Sequence, residues 1–248
     1  MKIVHYPHPA LRHPARMMTS IDKKLHLHVG QMWDVLYEAK GLGLAATQVA
    51  LPYQLLLINI TGDPKQKDRE EVYINPVIVE RKGVQDDEEG CLSFPGLFQK
   101  VRRAKTVKVQ AYNIKGEPVE IVASDLTARA WQHEIDHLNG VLFIDKMGLV
   151  AKLSARGSVK NFEKEFRRAQ QRGDIPPDAE IEKFLAMLEK EADQPSPKAE
   201  PGSERNGAEA KAPEQGPQGG APESKEPGQD EQRIDDPTRG TDPKHGGF

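Results

Sequence analysis

Two histidines stand four residues apart, with a glutamate directly after the first, in Trp131-Gln132-His133-Glu134-Ile135-Asp136-His137-Leu138-Asn139-Gly140. No other stretch limits the fold so strongly. On a helix, residues four apart lie one above the other, so His133 and His137 can aim ring nitrogens at one metal ion. Glu134 then projects to the flank of that face, within reach of a water at the ion without being a ligand. Ser124-Asp125 offers an N-cap, residues 126–138 lack Gly and Pro, and Asn139-Gly140 supplies a stop, so a helix is predicted over 126–138. Leu126, Ala130, His133 and His137 share one stripe and read as a pocket wall. Trp131, Ile135 and Leu138 lie roughly opposite and read as core. The competing reading is two surface histidines matched by accident.

The 248 residues allow one domain with a substantial core, or two small ones. A net charge of −3 gives no basic footprint for nucleic acid as the main substrate. No apolar run reaches the length of a membrane span, and the first residues do not resemble a signal peptide. Cys91 is the single cysteine, so there is no disulfide partner within the chain, and a lone thiol suits a reducing cytoplasm.

Composition divides the chain near residue 193. Beyond it, Ile234 and Phe248 are the only large apolar residues, and 193–248 is expected to be a disordered Pro/Gly/charged tail. The remainder is expected to divide into a main domain at 1–172 and an accessory amphipathic helix at 173–192. Pro7, Pro9 and Pro14 make the first 18 residues irregular, so His5 and His8 read as loop histidines. Ser20 is expected to cap a helix over 21–40 that buries Leu25, Val29, Met32 and Leu36 and ends at Gly41. Strands are expected at 54–60, at 72–79 with a break at Pro76, at 105–112 and at 118–123. Residues 141–144 should return to the core. Amphipathic helices are expected at 158–172, strongly basic on one face, and at 179–191. That basic face reads as solvated, with an anionic partner as the alternative. The predicted fold class is α+β: antiparallel strands around a central metal-binding helix, with one helix before them and helices at the C-terminal end.

Gly41-Leu42-Gly43-Leu44-Ala45-Ala46-Thr47-Gln48-Val49 combines small and apolar residues, a sign of close backbone packing. Gly43 leaves open a strip of backbone to which a ligand chain can hydrogen-bond. Gln48 is either a satisfied core amide or a donor aimed into a site. Cys91 follows Gly90 in a loop ending at Pro95-Gly96. It is a buried inert thiol, a nucleophile activated by histidine, or a third metal ligand. Two histidines need a third protein group to hold a metal tightly. No downstream Glu or His stands in a familiar third-ligand pattern, which favours the upstream thiol, a ligand suited to Zn²⁺ or Fe²⁺.

Gly41-Leu42-Gly43-Leu44-Ala45-Ala46-Thr47-Gln48, Glu89-Gly90-Cys91-Leu92-Ser93 and Gln132-His133-Glu134-Ile135-Asp136-His137 resemble, in order and spacing, the three signature motifs of peptide deformylases. Pro9-Ala10-Leu11-Arg12 resembles that family's opening, and the likeness extends over roughly 1–170. It implies a hydrolase that removes the formyl group from the N-terminal formyl-methionine of nascent polypeptides and releases formate. It also implies one ion per chain on Cys91, His133 and His137: Fe²⁺, with Zn²⁺, Ni²⁺ or Co²⁺ as substitutes. Glu134 would serve as acid and base, and Gln48 and the Leu92 N–H would donate to the oxyanion. Gly43, Leu44 and Gly90 would border the extended peptide, while Leu42, Leu126, Arg129 and Ala130 would surround the methionine side chain. Arg129 stands where the family commonly has an apolar residue, and is expected to lie with its stem in the pocket and its head in water. Phe98 stands where a basic residue is frequent. Glu89 and Arg103 are expected to pair, with a plain surface pairing as the alternative.

Other activities fit the same residues less well. A metallopeptidase leaves Cys91 without a task, a thiol hydrolase does not explain two histidines at helical spacing, and an inactive ribosome-associated protein does not explain Glu134 and Gln48. The basic helix from Ser158 is a candidate for docking at the ribosome.

Overall fold

A computed structural model describes residues 1–192; the tail expected at 193–248 lies outside the described residues. The first helix, α1 (Lys23–Glu38), begins at Asp22, whose side chain accepts from the Leu25 N–H at 2.8 Å. Asp22 therefore replaces the expected Ser20 as cap, satisfying one of the donors that every helix start leaves over. The buried stripe is the one expected, widened by Trp33 and Val35. At the other end Lys40, not Gly41, takes the left-handed conformation (φ 56°), and the Gly41 N–H bonds back to Leu36 O at 3.0 Å.

Strands β1 (Gly43–Ala45), β2 (Leu55–Ile58), β3 (Glu71–Lys82), β6 (Thr106–Tyr112) and β7 (Pro118–Ser124) form one antiparallel sheet in the order β1-β2-β3-β6-β7. Strand β3 was expected to break at Pro76 but runs on to Lys82. Asn75 adopts φ 52° and the β3–β6 register shifts between Ile74 and Val77, so the proline is absorbed in a bulge. Asn75 holds that bulge by bonding both the N–H and the C=O of Met18, each at 2.8 Å.

A second, two-stranded sheet pairs β4 (Gln85–Glu89) with β5 (Gln99–Arg103). Its strands are too rich in charge to show an alternating apolar pattern, so the stretch reads as a loop from sequence. The turn between them, 90–98, carries Cys91 and is tightened by Phe94 N–H to Cys91 O (2.9 Å) and Leu97 N–H to Phe94 O (3.0 Å).

Helix α2 (Asp125–Leu138) packs against the large sheet. Ala128, Trp131, Ile135 and Leu138 meet Leu56, Tyr73, Val107 and Val109 in one core, with the Tyr73 and Trp131 rings 4.4 Å apart. The expected cap at Ser124 is not made; its hydroxyl lies 3.1 Å from Thr106 Oγ1 on the neighbouring strand. Leu142 and Phe143 return to the core as expected, leading into the short α3 (Phe143–Lys146). Helix α4 (Leu149–Arg172) starts nine residues before the expected Ser158. Its first turns leave Leu149, Val150 and Leu153 exposed, so they lack the apolar stripe from which a helix is read. Helix α5 (Asp178–Ala192) buries Ile181, Leu185 and Leu188. Ile181 and Leu185 pack with Ala10 and Phe166, and His13 Nε2 meets Glu189 at 2.9 Å, so α5 rests on the N-terminal segment.

Candidate metal centre

The loop after β4 and the second half of α2 bring Cys91, His133 and His137 together. One ligand atom from each can be chosen so that all lie within 4.8 Å of one another, and all three residues are buried. Cys91 Sγ lies 3.2 Å from His137 Nε2. Gln48, in the 3₁₀ turn Ala46–Val49, points its Nε2 at Cys91 Sγ (3.6 Å) while its Oε1 accepts from the Ala45 N–H (2.8 Å). The amide is thus held by its oxygen and presents its nitrogen to the cluster. One sulfur and two imidazole donors suit a divalent transition ion, and three protein groups leave its fourth position open.

Glu134 is wholly buried, and among the described residues neither carboxylate oxygen has a hydrogen-bond partner of ordinary geometry. The Ala45 N–H attracts it electrostatically but is committed to Gln48 Oε1. Burial drives its pKa up to about 7, against the pull of His133. A buried carboxylate without firm partners, titrating near neutrality, has the properties required of a proton carrier. Gly43 makes room for it: a Cβ there would stand 2.6 Å from Glu134 Oε1.

Behind the cluster lies a buried ion network. Glu89 Oε1 accepts from Arg103 Nη2 and from His133 Nδ1, both at 2.6 Å; Oε2 accepts from Arg103 Nε at 3.0 Å and Arg129 Nη1 at 2.8 Å. Arg103 also pairs with Asp136. Burial would raise the Glu89 carboxyl, but the hydrogen bond and charge of His133, followed by those of Arg103, outweigh it and hold the pKa well below the usual range. Burial likewise pushes His133 down, while Cys91 and then Glu89 hold it well above the ordinary imidazole value. His137 is held well below it, by burial first and then by the neighbouring His133.

Leu92 is half-buried against the α1 core, and Leu44 is fully buried there, so Leu44 offers a bound chain only its backbone. Strand β1 lies at the sheet edge. Gly90 packs under Phe98, whose Cε1 would stand 2.5 Å from an added Cβ. Leu42 is half-buried, Ala130 buried, and Leu126 47% exposed at the start of α2.

The expected snorkelling of Arg129 is corrected. Its side chain is only 2% exposed, and its head donates to Glu89 and to Val101 O (3.0 Å) rather than reaching water. The Glu89–Arg103 pair is equally buried, so the surface alternative is ruled out. Asp136 and Gln132 were missed as supports. Gln132 exchanges hydrogen bonds with the Ala104 N–H and C=O, each at 3.0 Å, fastening α2 beside β5.

The polypeptide deformylase family model matches residues 1–152. The peptide deformylase of Rhodopirellula baltica is 37% identical over 189 residues, covering 76% of this chain and 94% of the relative. That of Chromobacterium violaceum is 41% identical over 165 residues, covering 66% and 97%. Among solved structures, peptide deformylase 1B of Arabidopsis thaliana in complex with an inhibitor matches with a TM-score of 0.66 at 40% identity, over 71% of this chain and 96% of that one. Peptide deformylase from Plasmodium falciparum matches with a TM-score of 0.65 at 38% identity, over 67% and 97%.

Proposed function

This chain belongs to the polypeptide deformylase family, and from that premise we propose how its own residues divide the work of the reaction. The family's reaction removes the N-formyl group from the formyl-methionine that begins newly made polypeptides: water adds, the C–N bond breaks, and formate and a free amine leave.

Cys91, His133 and His137 hold a divalent ion, which we take to be Fe²⁺, with Zn²⁺, Ni²⁺ or Co²⁺ able to replace it. A divalent ion on such donors brings the pKa of a water toward neutrality and polarises a carbonyl. A Glu134 carboxylate oxygen takes the proton from the attacking water and delivers it to the departing amine nitrogen. Gln48 Nε2 and the Leu92 N–H donate to the oxygen that gains charge, each donor worth about 2.7–4 kcal/mol of barrier. The free edge of β1, at Gly43 and Leu44, pairs with the extended peptide on one side and Gly90 borders it on the other, a mode that tolerates any downstream side chain. Leu42, Leu126 and Ala130 receive the methionine side chain, and only the Arg129 stem adds to that wall. The substrates emerge during translation in the cytoplasm, and the basic α4 helix is the surface we assign to the ribosome. Reversing its charges should lower co-sedimentation with ribosomes.

The convergence of one thiol, two imidazoles and a loosely held carboxylate carries this reading. The test is formate release from formyl-Met-Ala-Ser by Fe²⁺-loaded protein prepared without oxygen. Formate without peptide-bond cleavage supports it. Cleavage between residues would indicate a metallopeptidase, and neither product would indicate a protein without this activity.

A further inference from the structure

Arg129 and His133 are four apart on α2, so guanidinium and imidazole leave the same face one turn apart. The Glu89 carboxylate, entering from the end of β4, lies between them. Burying a guanidinium is costly, and an apolar side chain would fill the same space, so its presence calls for a task that charge and donors perform.

Charge neutralisation is not that task, because Arg103 already contacts both oxygens of Glu89. What Arg129 adds is the fourth donor. A carboxylate offers about four lone-pair sites. Three are occupied by Arg103 Nη2 and Nε and by His133 Nδ1, and Arg129 Nη1 takes the remaining one. The same Nη1 donates to Val101 O on β5 at 3.0 Å, and Nη2 faces Asp87 Oδ2 at 3.8 Å, so the carboxylate is tied to the small sheet as well as to α2. With all four sites filled, the carboxylate has no freedom to turn its Oε1 away from His133.

We propose that Arg129 is a positioning residue: by completing the donor shell of Glu89 it fixes the orientation and Nδ1–H tautomer of His133, leaving Nε2 to bind the metal. This rests on the reading of His133 as a ligand. Groups that support metal-bound histidines in this way are generally worth about 10–100-fold in metal affinity.

The experiment measures Zn²⁺ affinity by chelator competition on the reduced full-length protein. It compares wild type, R129M, R129K, E89Q, the R129M/E89Q double variant and H133A, with near-UV circular dichroism confirming that each metal-stripped variant is folded. R129M should bind about 10–100-fold more weakly. The double variant should bind no more weakly than E89Q alone, because Arg129 acts through Glu89. R129K, which keeps a charge but not the planar fork, should fall between R129M and wild type, and it carries the comparison if R129M does not fold. R129M or R129K matching wild type would overturn the proposal, as would an Arg129 effect that persists undiminished without Glu89. Wild-type affinity in H133A would instead overturn the ligand reading itself.

Discussion

Cys91 Sγ and His137 Nε2 lie 3.2 Å apart although the two residues are 46 positions apart in the chain. The two reach each other by different routes. Cys91 is held by a tight turn closing a two-stranded hairpin, and His137 by a helix whose opposite face is welded to the large sheet through Trp131, Ile135 and Leu138. Thr47 adds a direct tie from its hydroxyl to His137 O at 3.2 Å, so the turn that carries Gln48 is anchored to the helix that carries the histidines.

Gly43 is expected to tolerate no side chain. Gly43→Ala brings a methyl to 2.6 Å from Glu134 Oε1 and must displace that carboxylate. The variant should retain metal, measured by elemental analysis, yet lose at least about tenfold in kcat, the cost of misplacing a group by a fraction of an ångström.

Gln48→Ala removes the amide whose nitrogen faces the cluster. It should lower kcat by about 10²–10³-fold with a smaller change in KM, as for loss of one oxyanion donor. Steady-state kinetics on formyl-Met-Ala-Ser separates the two constants, and a loss confined to KM would show Gln48 to be only a binding or core amide.

Glu134 links chemistry to stability. Glu134→Ala should keep its metal and lose turnover by orders of magnitude, and near-normal activity would end its role as proton carrier. Its carboxyl is raised to about 7 in the folded chain, above the unfolded value near 4.3. The folded state therefore binds the proton more tightly. Relative to a neutral amide, the native glutamate loses stability as pH rises from about 4.3 through 7. Metal-stripped Glu134→Gln should match wild type in urea below pH 4 and exceed it by roughly 3 kcal/mol at pH 8. An equal difference at both pH values would contradict this.

Leu185→Ala tests whether α5 is part of the folded body. Leu185 is 1% exposed and packs with Phe166, Ile181 and Ala10. The truncation should cost about 2–5 kcal/mol in denaturant unfolding, against almost nothing if the helix were a detachable appendage.

Much of this was legible in the residues because it rests on local periodicity. The α2 motif follows a step of four, α1 buries the expected Leu25, Val29, Met32 and Leu36, and β6 and β7 alternate. Features that depend on distant partners were not legible. Asp86, Asp87, Glu88 and Glu89 look alike in sequence, yet only Glu89 is buried, because β4 ends with that side chain between Arg103 and Arg129. Arg102 and Arg103 are likewise indistinguishable as neighbours; the first pairs with exposed Asp86 and the second with buried Glu89. Arg129 misled for the same reason, since an arginine on a helix next to a pocket normally reaches for water. The bulge at Asn75-Pro76 depends on Met18, which lies 57 residues away.

The central claim is that one thiol and two imidazoles hold a single ion, and X-ray absorption at the metal edge of the zinc-loaded protein tests it most directly. The account predicts one sulfur at about 2.3 Å and two imidazole nitrogens at about 2.0–2.1 Å, with the sulfur shell lost in Cys91→Ser. A first shell of nitrogen and oxygen alone in the unmodified protein would contradict it.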